Sequence, residues 1–429
     1  MIISSNNKDF FSFKNIEIIY LILLWVLLYF EPVQIGALKI SQIWKGLLVL
    51  FLFSYLVKNN FPKFIWFGVL FSFKYLIYSQ IPYGFMDNFR LFNESLVFPI
   101  FLGYLYIKHK KNNLSIHIFN NYAILLSILL IYSAVPFFFG LKSLNNDYDL
   151  MEKYNINFTA TKGIFYHIAS ASKMFTIATI YILLNKTKFN HSKTYKLFWW
   201  TTILLGSFLI IMCWTRTAWF IYFIALIFSI FNYSKLKVKI KGIALTILIF
   251  FSILYVYETN QAFRWRLTGG SNFRGEQELT FDQLAKARLP YIAVAIENMN
   301  DEGFLSSFLG YGEQKGKDYF EEKLSMSITS HNATFEKLES NGILGLILYV
   351  LFISKLFLFV KKSTKFLDDN LKKTFNICVL LFLSFYITSH GTPLWGELIY
   401  ALIFMDIFIK NDQYKKEKMQ NKTSNLTLN

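Results

Sequence analysis

Apolar residues in this chain come in long unbroken blocks. Ile16 to Phe30, Ile118 to Gly140, Ile164 to Leu184, Leu197 to Trp214, Ala218 to Phe231 and Ile343 to Val360 each carry at most one charged residue. A helix needs about 20 such residues to cross roughly 30 Å of hydrocarbon. With the shorter blocks between them, the pattern predicts about twelve transmembrane helices. They run over roughly 16–30, 40–57, 61–79, 93–107, 118–140, 164–184, 197–214, 217–232, 240–257, 343–360, 374–389 and 394–409. The predicted fold class is an all-α polytopic membrane protein. The first block ends in Phe30-Glu31-Pro32 rather than in small residues, so it reads as an uncleaved helix and not as a signal peptide.

The polar segments set the topology. Lys8 and Lys14 precede the first block, and Lys58 and Lys63 follow the second. Further on come Lys108, Lys110 and Lys111, then Lys186, Lys188, Lys193 and Lys196, then Lys235, Lys237, Lys239 and Lys241. Lys361, Lys362, Lys365, Lys372 and Lys373 form the next group, and the tail carries Lys410, Lys415, Lys416 and Lys418. With the N-terminus inside, every one of these dense loops falls on the same side, as the positive-inside rule requires. Both termini are therefore expected in the cytoplasm.

Two longer polar segments face the other side, 141–163 and roughly 258–342. The second is too long for a connector. It contains Phe281 to Met299, which reads as an amphipathic helix interrupted at Pro290, and a turn at Gly310-Tyr311-Gly312. The expected organisation is helices one to nine over 1–257, a large extracytoplasmic loop over 258–342, helices ten to twelve over 343–410, and a cytoplasmic tail over 411–429. That tail, rich in Asn and Lys, reads as disordered. No internal repeat is visible.

Composition agrees with the membrane reading. Hydrophobic residues make up 54% of the 429 and charged residues only 17%, with a mean hydropathy of +0.38. A net charge of +17 would on its face suit nucleic acid. Its confinement to alternate short loops argues against that partner. Cys213 and Cys378 both lie inside apolar blocks, so neither a disulfide nor a metal site is expected.

The arginines depart from the lysine pattern. They are Arg90, Arg216, Arg264, Arg266, Arg274 and Arg288, and on this topology all face outside. Guanidinium forks hold phosphate oxygens two at a time and stay charged. Arginines clustered at the outer boundary therefore suggest a lipid-linked phosphate or pyrophosphate. The plain alternative pairs those of 264–274 with Glu276, Glu278 or Asp282. Arg216 sits in the short turn Cys213-Trp214-Thr215-Arg216-Thr217-Ala218-Trp219, where a cation near bilayer depth needs a partner or must snorkel. Lys74 and Lys173 fall in the outer halves of their helices. Both can face a polar cavity or snorkel, and snorkelling is the expectation for Lys74. Asp147-Tyr148-Asp149 has the form of a metal-binding Asp-x-Asp, but in a loop of Asn, Asp and Lys it reads as solvated. Glu397, near the outer end of the last helix, is a candidate partner for a cavity cation. His390 reads as a turn residue.

The most specific segment runs from Ser330-His331-Asn332 through Phe335 and Leu338 to Gly342-Ile343-Leu344-Gly345. It closes the large loop and enters the next helix, and its glycines allow close helix packing. A histidine there titrates near neutrality and can act as a general base. This run resembles the O-antigen ligase and O-antigen polymerase superfamily. The Arg216-Thr217-Ala218-Trp219 hairpin resembles the family's Ser/Thr-Arg-x-Ala turn. The stretch from Arg288 to Gly310-Tyr311-Gly312 resembles its Arg…Gly-x-Gly run, and Gly163-Ile164-Phe165-Tyr166-His167 its Gly-Phe-x-x-His helix entry. The resemblance covers roughly residues 160–350. The chain departs from the family where an acidic residue often stands two before the Gly of Gly-Ile-Leu-Gly. Ser340 is found there, with Glu339 one further back.

The resemblance implies a membrane glycosyltransferase of the type-C kind, working without a metal or other cofactor. Its donor would be an oligosaccharide on undecaprenyl pyrophosphate, and its acceptor a sugar hydroxyl. His331, Arg216 and Arg288 would be catalytic, His331 as base and the arginines on the leaving pyrophosphate. Arg90, His167, Lys173, Arg264, Arg266 and Arg274 would bind substrate. A polymerase joins lipid-linked repeats, with a chain-length regulator as its protein partner; a ligase transfers polymer to lipid A–core. The expectation here is the polymerase, since the first half matches only in hydropathy. A lipid-oligosaccharide flippase is the alternative from another class. It would be expected to place its basic residues along a central cavity and to have short loops.

Overall fold

The computed structural model describes residues 34–35, 38–60, 62–76, 85–111, 119, 121–139, 148–149, 159–163, 165, 168–190, 192–231, 236–259, 289–324, 333–363, 367, 369–388 and 394–426. Among these the chain is helical, apart from two short antiparallel ladders. One pairs Gln34–Ile35 with Leu38–Lys39 and the other pairs Tyr148–Asp149 with Thr159–Ala160. The expected first helix, 16–30, lies outside the described residues.

The other apolar blocks are all helices: α1 Ile40–Lys58, α2 Lys63–Phe73, α3 Phe85–Lys110, α4 Tyr122–Phe138, α5 Ile168–Leu184, α6 Lys193–Met212, α7 Arg216–Phe231 and α8 Leu236–Thr259. Three helices of the long polar segment follow, α9 Leu289–Asp301, α10 Gly303–Leu309 and α11 Glu313–Leu324. The chain closes with α12 Ala333–Ser363, α13 Asp369–Thr388 and α14 Leu394–Leu426. By length and composition alone, two described helices can cross a membrane, Lys193–Met212 and Lys337–Phe359 within α12. Only 33% of each apolar window is buried inside the protein. The core helix of a soluble protein would hide far more, so these faces call for lipid.

The helices pack around a continuous core. α2 crosses α3 and α12, α3 also packs on α1 and α14, and α5 packs on α4, α6, α7 and α13. α2 comes close to both α3 and α12 at Gly68. A Cβ there would sit 2.8 Å from Pro99 of α3 and 2.9 Å from the Phe352 ring of α12. Hydroxyls inside these apolar helices bond back to their own backbone. Ser72 donates to Gly68, Ser127 to Ala123, Thr176 to Ser172 and Thr179 to Phe175. Such bonds satisfy the hydroxyl without water.

Three expectations need correction. Helix α3 begins at Phe85, not near 93, because a helix can continue past the apolar window into polar residues. Residues of the tail up to Leu426, read as disordered, continue α14. Extending an existing helix adds one hydrogen bond per residue and avoids the cost of nucleation. Asp412 also ties the tail back to α3, accepting from His109 at 2.9 Å and Lys110 at 3.5 Å. Lys74, expected to snorkel, is instead 1% exposed.

Candidate functional site

The long polar segment builds a small helical layer against the membrane helices. α9 begins at Leu289, directly after Arg288, with Pro290 in its first turn. Proline costs nothing there, since first-turn N–H groups have no partner inside the helix. Val294 and Ala295 of α9 pack on Phe320 of α11, and Phe335 in the first turn of α12 packs against all three. The helix that follows Arg288 and the helix that follows His331 thus share one apolar cluster.

Two glycines lock this layer to α12. Gly310, with φ 86°, caps the C-terminal end of α10, and α12 breaks at Gly342, with φ 65° and ψ −174°. Both occupy the region that L side chains rarely enter. A Cβ on Gly310 would lie 2.6 Å from the Gly342 nitrogen, and one on Gly342 would lie 2.3 Å from the Gly310 nitrogen. Beside them the Tyr311 N–H donates to the Glu339 carbonyl at 3.0 Å, and the Tyr311 hydroxyl donates to Glu339 Oε1 at 3.0 Å. Burial, then the Glu339 charge, push the Tyr311 hydroxyl well above the usual tyrosine range, so it remains a donor.

Two lysines tie the layer to the membrane helices. Lys74, just past the end of α2, donates Nζ to the Leu309 carbonyl at the last residue of α10. A cation at a helix C-terminus is favourably placed against its carbonyls. Lys337 of α12 donates to the Tyr75 hydroxyl at 3.0 Å and lies 5.6 Å from the Phe71 ring centre.

The second part of the candidate site is the turn between α6 and α7. Trp214 takes a positive φ of 51°. Trp219 Nε1 reaches back to the Ile210 carbonyl at 3.0 Å and the Ile211 carbonyl at 3.2 Å, near the end of α6. The Thr215 carbonyl accepts from the Ala218 and Trp219 nitrogens at 3.0 and 3.1 Å, starting α7. Thr161 bonds twice to the end of α6: its N–H donates to the Met212 carbonyl at 3.1 Å, and its carbonyl accepts from Cys213 Sγ at 3.2 Å. The buried cysteine is a packing residue, as expected from its apolar block. Arg216 is thereby held half-buried at the N-terminus of α7, where cation and helix dipole both favour an anion.

Of the expected site residues, Arg216 and Lys173 are described in full. Lys173 is 4% exposed, buried in α5, and α5 packs on α7. Arg90 falls in the second turn of α3. His331, Arg288, His167, Arg264, Arg266 and Arg274 lie outside the described residues, as do His390 and the segment 258–288 apart from Glu258 and Thr259. Sequence reasoning missed Glu339 as a buried acceptor and Lys74 as a tether. The signal for Glu339 was present, one residue from the family's acidic position. For Lys74 there was none, because its partner lies 235 residues away. No group of His, Cys, Asp or Glu among the described residues could hold a metal ion.

The described chain thus joins helices long and apolar enough to cross a membrane to a polar helical layer fastened against α2 and α12. Residues 201–350 match the O-antigen ligase family, a stretch that holds the Arg216 turn, the polar layer and the start of α12. The match supports the O-antigen ligase and polymerase superfamily for this part of the chain, and members of that family are membrane-embedded, glycosyltransferase-like enzymes. No curated protein matches the chain.

Proposed function

We propose that this protein polymerises oligosaccharide repeat units carried on undecaprenyl pyrophosphate, at the periplasmic face of the inner membrane. The observation that carries the reading is the family match over 201–350, which spans both the Arg216 turn and the polar layer around α12. About twelve membrane helices, with both termini in the cytoplasm, would put that layer outside. In the proposed reaction His331 takes the proton of an acceptor sugar hydroxyl. The freed oxygen attacks the anomeric carbon of the donor, and the bond from that carbon to the pyrophosphate oxygen breaks. Arg216 and Arg288 neutralise the departing undecaprenyl pyrophosphate, a role that a metal fills in other transferases. Arg90, His167, Lys173, Arg264, Arg266 and Arg274 are proposed to hold the lipid-linked substrates. A chain-length regulator is the protein partner such a polymerase would take.

The test is deletion in the source strain, complementation with wild type, His331→Ala or Arg216→Lys, and a gel of surface polysaccharide. Polymerase function predicts a ladder collapsed to core plus one repeat, restored by wild type alone. The matched family's description as an O-antigen ligase favours a second reading, transfer of finished polymer to lipid A–core. That reading predicts loss of every repeat-bearing band while lipid-linked polymer accumulates. An unchanged ladder would sink both.

A further inference from the structure

A pocket of about 320 Å³ lies at the lysine-rich end of the α5–α6 pair, lined by Lys186, Phe189, Asn190, Lys196, Trp199 and Trp200. It is formed by the 3-10 turn Lys186–Phe189 and the first two turns of α6. Trp199 is pinned, its Nε1 donating to the Ile182 carbonyl at 3.0 Å, and Lys186 Nζ lies 5.2 Å from its ring centre. Phe189 closes the floor at 1% exposure. Both lysines are exposed, so their charges are presented to whatever occupies the pocket.

The pocket lies beside an exposed apolar face of α6. Leu197, Leu204 and Ile211, spaced by two helical turns, are 68%, 66% and 52% exposed, and Trp200 beside them is 54% exposed. These residues lie on Lys193–Met212, a helix long and apolar enough to cross a membrane. Tryptophan with lysine marks the boundary between hydrocarbon and headgroups. Two cations and a tryptophan wall at that depth, above an apolar stripe, match a molecule with an anionic head and an apolar tail.

We propose that this pocket is a binding site for the headgroup phosphate of an anionic phospholipid, with an acyl chain lying along Leu197, Leu204 and Ile211. The phosphate sits between Lys186 and Lys196. The site is separate from the Arg216 turn and from the polar layer, and its existence does not depend on which sugar transfer the protein performs.

Native mass spectrometry of the purified full chain, titrated with phosphatidylglycerol or phosphatidylcholine, tests this. Phosphatidylglycerol should bind at least about tenfold more tightly than phosphatidylcholine, since each lysine near the surface favours an anionic lipid. Lys186→Gln with Lys196→Gln should erase most of that preference, and Lys186→Arg with Lys196→Arg should keep it. Lys416→Gln with Lys418→Gln, equal in charge and exposed on the tail of α14, should leave it unchanged. Equal binding of the two lipids by wild type would overturn the proposal. So would equal losses in the pocket and tail variants, or no loss in either.

Discussion

Gly310 and Gly342 abut backbone to backbone, so closely that a methyl group on either would clash with the other's amide nitrogen. One caps α10 and the other breaks α12, and both hold a φ suited to glycine. The contact sets the height of the polar layer on the membrane helices.

Gly342→Ala should therefore do more than strain one residue. Left-handed strain alone costs about 1–3 kcal/mol, and here the new Cβ also meets backbone that cannot yield. The expected outcome is a lowered unfolding temperature and loss of polysaccharide polymer. Gly46→Ala in α1, where a Cβ meets nothing within 4 Å, should leave both unchanged or slightly raise stability. Equal behaviour of the two variants in a thermal unfolding assay would sink the argument.

Lys74→Met keeps the length of the buried chain and removes the donor to the Leu309 carbonyl. Hydrogen bonds to charged groups are worth about 1.5–3 kcal/mol. The polar layer should then detach more often while the membrane helices stay folded. Limited proteolysis of the intact protein should cut within residues 258–342 several-fold faster than in wild type. An unchanged cleavage rate would mean that Lys74 tethers nothing.

Tyr311 predicts an alkaline limit. Its hydroxyl titrates well above the ordinary 10.0 in the folded protein. Its contribution is fully present below the unfolded value and is lost as pH rises past it, because only the unfolded chain then releases the proton. Stability of the polar layer should fall above about pH 10. Tyr311→Phe should be less stable at neutral pH, since it removes the hydroxyl that donates to buried Glu339, and should show a weaker fall above that pH. Proteolysis rates measured from pH 7 to 11 would read both effects, and parallel curves would refute the assignment.

At the lysine-rich ends of the helices, Asp406 of α14 is 1% exposed and accepts from Lys410 and from the Tyr181 hydroxyl of α5. Lys410 also donates to Asn185 at 2.9 Å. Removing one partner of a buried pair strands the other charge, at about 3–5 kcal/mol. Asp406→Ala should thus destabilise strongly, and Asp406→Ala with Lys410→Met should recover much of the loss. Additive losses in thermal unfolding would count against the pairing.

The helices were legible because membrane helices satisfy their backbone within one segment. The blocks at Ile40, Leu197 and Ile343 needed no partner to become α1, α6 and α12. The Arg216 turn was legible from its short connector, and Gly310-Tyr311-Gly312 from its turn residues. The first turns of α9 and α14's extension were harder. A proline reads as a break until its position in the first turn is known, and a polar tail reads as disordered until a neighbouring helix supplies the partner for Asp412.

By itself the sequence determined where apolar helices form, where the long polar segment lies, and which motif joins it to α12, since each depends on neighbours within a few turns of chain. Only the tertiary structure decided that Gly310 meets Gly342, that Lys74 is buried against Leu309, and that Glu339 accepts from Tyr311. Those are pairings between segments far apart in sequence. A side chain's charge or a glycine's missing Cβ acquires its role there only when packing brings the partner into reach.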